Sequence, residues 1–146
     1  MLEVLQATHD NMGFLVADVS RLMRRSFARR LSEGTITLNE ARALAYIGRN
    51  QGLRQIDLAE LLEMQPIQLA RLIDRLCEMK LVERQASPDD RRAYHIYLLP
   101  AAGAVLASFE KVAKTIRDEA MEGLSQEQIE ALIFALTHIR NNFKCR

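Results

Sequence analysis

Gln65, Gln68, Arg71 and Arg75 recur at intervals of three and four residues within one short segment. On a helix that spacing draws side chains toward a shared face. Amide and guanidinium groups in such a row present donors and acceptors fitted to base edges, and either can instead grip phosphate. A solvated helix face has the same appearance, so the row alone admits both readings. Farther along, Ser87-Pro88-Asp89-Asp90-Arg91-Arg92 forms a turn-prone, charged tip. Turns are polar without any function, yet two adjacent arginines on a projecting element suit the negative potential of a narrow groove. Arg84 lies just before this tip, placed either to contact phosphate or to stiffen the element. The densest basic cluster is Arg21, Arg24, Arg25, Arg29 and Arg30, with no acid between residues 21 and 30. The plain reading is a solvated helix face. The alternatives are DNA backbone, acids of another subunit or an anionic effector.

Catalytic chemistry has little to work with. His9, His95 and His138 are isolated, and no Ser/His/Asp arrangement or glycine-rich phosphate loop is evident. Cys77 and Cys145 form no CxxC pair and no disulfide framework, so buried or incidental thiols in a reducing, cytoplasmic compartment are expected. The expectation is a non-enzyme without metal or cofactor. The opening MLEVLQATHD lacks a basic, apolar leader pattern, and no run of 18 apolar residues exists to enter a membrane.

The elements that must position these side chains follow from periodicity. A chain of 146 residues that is 49% hydrophobic and 27% charged has the composition of one globular domain, and a net charge of +1 excludes a simple polybasic tail. Met12, Leu15, Val16, Val19, Leu22, Met23, Phe27 and Leu31 mark one long amphipathic helix from about Asp10, which Gly34 and Thr35 interrupt. Thr37 and Glu40 fit a capping box opening a second helix that stops between Gly48 and Gly52. A short helix from Arg54 to Leu62 carries Ile56, Leu58, Ala59 and Leu62 as its apolar set. Another begins at Pro66, suited to a first helical position, with Leu69, Leu72, Ile73 and Leu76 on its apolar side. Only Glu63, Met64 and Gln65 separate them, which makes a helix-turn-helix.

The period then changes. Leu81 to Gln85 and Ala93 to Leu98 read as strands flanking the charged tip, so a β-hairpin wing follows the second short helix. A long helix from about Ala101 ends at Gly123, and a last one opens at Ser125 with Gln128. A helix of 20 residues spans roughly 30 Å, so the terminal helices must reach beyond the central module. Their apolar stripes then need a partner, and a second copy of the chain supplies one.

That order of elements resembles the MarR family of winged helix-turn-helix transcription regulators, particularly its SlyA-like branch. Gln55-Ile56-Asp57-Leu58-Ala59 looks like the family's Q-x-x-L-A, and Leu69 to Leu76 resembles its recognition-helix core. Leu81-Val82-Glu83-Arg84 is similar to G-L-V-x-R without the leading glycine, and Asp90-Arg91-Arg92-Ala93 to the D-x-R wing signature. The departures are local: Lys80 and Glu63 stand at usual glycines, Arg54 at a usual Thr or Ser cap, and Leu99 at a usual Thr.

The resemblance implies a mainly α fold with a small β-hairpin wing, its core spanning about 37–100 and its dimerisation helices about 8–32 and 101–144. It implies a homodimer on a pseudo-palindromic double-stranded DNA operator, more a repressor than an activator. Gln65, Gln68, Arg71 and Arg75 would face the major groove. Arg92, its guanidinium held by Asp90, would enter the minor groove, while Arg91 and Arg84 would contact phosphate or stiffen the wing. It also implies a small aromatic or phenolic anion as effector, with Phe14, Arg42, Tyr46 and Met64 available either to line a pocket or to pack in the core. The alternatives are an architectural or counter-silencing DNA binder without ligand, and a protein-interaction module that has lost DNA binding.

Overall fold

The computed structural model describes residues 11–31, 34 and 36–146, so the expected helix residues before Asn11, and also Ser32 and Thr35, lie outside it. Two compact units divide the chain at Ala113/Lys114.

In the first unit, helix α1 covers Met12–Leu31, with Asn11 Oδ1 accepting from the Phe14 N–H at 3.1 Å to open it. Its Phe27 stacks on Phe109 with ring centroids 5.3 Å apart. Helix α2 covers Leu38–Arg49. Thr37 caps it by accepting from the Glu40 N–H, but the expected reciprocal arrangement is replaced: the Thr37 hydroxyl itself donates to Glu40 Oε1 at 3.0 Å. Glu40 is drawn inward rather than back over the cap.

Gly52 turns the chain from α2 into a two-residue strand β1, Leu53–Arg54, that the sequence reading lacked. Gly52 has φ +84°, a conformation that calls for glycine, and a Cβ there would also crowd the Tyr97 hydroxyl oxygen at 2.9 Å. Helix α3 spans Gln55–Leu61, and α4 spans Pro66–Glu78 with proline at its start, as the missing proline N–H suits. No side chain caps α3; the Arg54 guanidinium instead takes both carboxylate oxygens of Asp57, at 2.8 and 3.0 Å. Glu63 and Lys80 adopt φ of 53° and 59°, so both replacements of a turn glycine are held in the left-handed region.

Strands β2 (Val82–Ala86) and β3 (Tyr94–Leu98) pair antiparallel, with Val82 opposite Leu98 and Ala86 opposite Tyr94. β1 joins the other edge of β3, giving the order β1-β3-β2. The core is the shared burial of Leu44 and Ile47 from α2, Leu58 from α3, Leu69, Ile73 and Leu76 from α4, and Ile96 from β3. Ile56, expected in this core, is instead 64% exposed, because α3 turns only Leu58 and Ala59 inward.

Helix α5 runs Ala102–Ala120, and its first residue is fully buried in the same core. In the second unit, Gly123 at φ +85° follows α5, and Ser125 with Gln128 makes a complete capping box for α6, Gln126–Lys144. Leu132, Ile133, Leu136 and Phe143 on α6 are exposed, as are Met12, Leu15, Val16, Val19 and Leu22 on α1. Both predicted stripes therefore sit on formed helices and lie partly open in the single chain, while Met23, Phe27, Leu31, Ile129 and Ile139 of the same stripes are half-buried. Among the described residues no helix is long and apolar enough to cross a membrane.

Candidate nucleic-acid interface

The buried face of α4 is Leu69, Ile73 and Leu76, which fixes what its opposite face must show. Gln65, the residue before the helix, and Gln68, Arg71 and Arg75 within it are all exposed. Proximity in sequence is thus converted into one solvent-facing row. The row is not uniform. Arg75 Nε lies 3.3 Å from Glu40 Oε1, and Glu40 is only 3% exposed. Glu40 Oε2 has no hydrogen-bond partner among the described residues. Arg75 therefore neutralises a buried carboxylate of α2 while its own side chain stays 56% exposed. No described ion pair engages Arg71.

Arg84 is the most committed of the predicted basic residues. Its Nε donates to Gln55 Oε1 at 2.8 Å, Nη1 to Asp74 Oδ1 at 2.6 Å and Nη2 to the Ala70 carbonyl at 3.0 Å. One planar guanidinium thereby ties β2 to the start of α3 and the outer turn of α4. Its side chain is 22% exposed. Cys77 sits near this bracket: burial pushes its thiol pKa up, with Arg84 opposing and Asp74 adding to the rise.

At the wing tip Asp90, Arg91 and Arg92 are exposed. Asp90 Oδ1 accepts the backbone N–H of Arg92 at 2.9 Å, and no described ion pair joins it to the Arg92 guanidinium. The expected side-chain clamp is replaced by an Asx turn: the aspartate shapes the backbone that presents Arg92. The wing's base is fixed by His95, whose Nδ1 lies 2.8 Å from the Gly52 carbonyl; a carbonyl only accepts, so this nitrogen carries the proton.

A cleft of about 340 Å³ brings the parts together, lined by Asp90 and Arg92 from the wing, Arg54 and Gln55 at the start of α3, and Pro66 at the start of α4. The wing tip and the two helix starts border one opening. The four residues offered for an effector pocket are not assembled by the described clefts. Met64 lines a second one beside Pro66, Tyr46 packs partly buried against the core, Arg42 donates to Asn39 Oδ1 at 3.4 Å, and Phe14 is 49% exposed on α1. Among the described residues no group of three or more His, Cys, Asp and Glu is placed to hold a metal ion. Sequence reasoning missed Glu40, Gln55 and Asp74, which orient the basic residues. Glu40 gave one signal, an acid within the otherwise apolar inner face of α2.

Residues 35–93, from the start of α2 to the wing, match a model of the MarR family. Transcriptional regulator PA3341 is 31% identical, with 93% of this chain covering all of that one (100%) at a TM-score of 0.78. Apo wild-type MarR from E. coli shares the fold at 23% identity and a TM-score of 0.77, over 88% of this chain and 96% of that one. MepR from S. aureus, solved as a DNA complex, does so at 23% and 0.71, over 90% and 98%. With the fold, the winged helix-turn-helix and a full-length relative in agreement, the chain belongs to the MarR family of transcriptional regulators.

Proposed function

We propose that the chain is a homodimeric, sequence-specific DNA-binding repressor of the SlyA-like branch. The observation that carries this reading is the shared cleft, where wing residue Arg92 and the starts of α3 and α4 border one opening. In the proposed complex α4 enters the major groove, with Gln65, Gln68 and Arg71 addressing base edges or phosphate and Arg75 adding charge from its anchored position. Arg92 enters the adjacent minor groove, presented by the Asp90 turn, while Arg91 meets phosphate. Arg84 acts by holding wing and helix in register. The open stripes of α1 and α6 bury against a second copy, and that dimer sets two half-sites about one helical turn, 34–36 Å, apart.

Occupying promoter DNA gives repression. A small aromatic or phenolic anion releases it by favouring a dimer whose recognition helices no longer match that spacing. Phe14, Arg42, Tyr46 and Met64 are the residues proposed to meet that anion in the dimer, since the described clefts of the single chain do not assemble them.

Selection of bound duplexes from a random library tests the proposal. An approximate palindrome with centres one turn apart supports it, and loss of binding on adding benzoate supports the effector role. Equal affinity for every duplex at all salt concentrations favours an architectural binder instead. An intact dimer with no DNA affinity favours a protein-interaction module.

A further inference from the structure

Ile67 is 70% exposed, although it is a large branched hydrocarbon in a helix whose other apolar residues are turned inward. It is the second residue of α4, and it lies on the side opposite Leu69, Ile73 and Leu76. Four residues on, Arg71 shares its face, and Gln65 and Gln68 flank it. An isoleucine in the middle of a row of amides and guanidiniums gains nothing from water, and no part of the chain's own core uses it. The start of the second helix is also where a helix-turn-helix brings side chains to base edges. In the major groove the one apolar group on a base edge is the thymine C5 methyl.

We propose that Ile67 is a specificity-determining residue that packs on a thymine methyl in each half-site, beside the polar contacts of Gln68 and Arg71. The inference rests on the DNA-binding reading above and deepens it by naming a base preference. The chemistry that recognises the partner is complementary on both counts: Gln68 and Arg71 hold the anionic duplex, and the branched apolar tip distinguishes thymine from a base without the methyl. A protein partner would call for a broader apolar patch, whereas the neighbours of Ile67 on this face are Gln68, Arg71 and Asp74.

The test uses the full-length dimer and a duplex selected from a random library by the unaltered protein. Each thymine is replaced in turn by deoxyuridine, and affinities are measured for the unaltered protein and for Ile67→Ala. One thymine per half-site should stand out, its replacement weakening the unaltered protein by about fourfold, the equivalent of one buried methyl of roughly 0.8 kcal/mol. The same replacement should leave Ile67→Ala within about twofold, since the methyl has lost its partner, and the difference between the two isolates the contact. Ile67→Val should keep part of the discrimination. Thermal unfolding of Ile67→Ala should match that of the unaltered protein, as expected for an exposed side chain.

Equal deoxyuridine losses in the two proteins overturn the inference, as does a loss of affinity on Ile67→Ala that is uniform over all sequences. Failure of the unaltered protein to bind any duplex overturns the DNA-binding reading itself, and this inference with it. The two failures are therefore distinct.

Discussion

Arg75 on the exposed row of α4 is paired at 3.3 Å with Glu40, a carboxylate of α2 that is 97% withdrawn from solvent, being 3% exposed. The same arginine row thus serves two ends: Arg71 faces solvent only, and Arg75 also secures the helix to the body of the unit. Removing Arg75 strands the Glu40 carboxylate with only the Thr37 hydroxyl and N-cap geometry to satisfy it.

Arg75→Ala should therefore lower folding stability, by about 1–2 kcal/mol once the half-exposed position of the guanidinium is allowed for. Arg71→Ala should leave stability unchanged within about 0.5 kcal/mol and weaken DNA binding instead. Denaturant unfolding at fixed protein concentration, run beside a binding titration, separates the two. Equal unfolding midpoints for both variants would contradict the division.

Arg84 should behave as a positioning residue. Arg84→Met removes donors from Gln55, Asp74 and the Ala70 carbonyl together, and the expected loss is about 1–3 kcal/mol. Arg84→Lys should recover only part of it, because an ammonium cannot reach three separate acceptors in one plane. The salt dependence of DNA binding should keep its slope in both variants, since the donors of Arg84 are already taken by Gln55, Asp74 and the Ala70 carbonyl. A flattened slope would show that Arg84 meets the DNA backbone.

Lys80 and Glu63 hold left-handed backbone at φ 59° and 53° without being glycine. Lys80→Gly should raise stability by up to about 1 kcal/mol, the strain of an L-residue there less the entropy glycine adds to the unfolded chain. Glu63→Gly should act in the same direction. Thermal melts of each variant at matched concentration provide the check, and a lower melting temperature would refute the assignment.

Burial raises the pKa of the Cys77 thiol, so less thiolate is present at neutral pH in the folded chain than in the unfolded one. In a Cys145→Ser background, which removes the exposed thiol, alkylation by iodoacetamide should be slow at pH 7. Its rate should rise with pH to a midpoint above the ordinary thiol value. Rapid alkylation at neutral pH would mark Cys77 as a reactive, sensing thiol instead.

Much of the fold was legible because local signals and tertiary packing agree. Pro66 marks the start of α4, the spacing of Leu69, Ile73 and Leu76 sets its inner face, and Ser125 with Gln128 makes the capping box that opens α6. The wing was legible from the change of period on either side of the Pro88-Asp89-Asp90 tip. What escaped depends on partners distant in sequence. β1 is only Leu53 and Arg54, too short for any alternation, and it exists because β3 offers a free edge. The Arg84 bracket joins residues 29 and 10 positions away, a relationship that no local pattern carries. Ile56 shares helical spacing with Ala59, but it lies about 200° around α3 from Leu58 and so falls on the open side of the helix. The D-x-R resemblance gives Asp90 to the Arg92 guanidinium, whereas in the structure its Oδ1 accepts the backbone N–H of Arg92.

In the proposed complex the dimer binds DNA through α4 and the wing, with Arg92 in the minor groove. Affinity for a library-selected duplex should be measured over a range of salt for the unaltered protein and for Arg92→Ala, with the dimer confirmed in both. Affinity should fall steeply with salt, and Arg92→Ala should bind at least about tenfold more weakly than the unaltered protein, consistent with losing one groove contact per protomer at about 1–3 kcal/mol each. An Arg92→Ala dimer that binds the selected duplex as tightly as the unaltered protein would contradict the account.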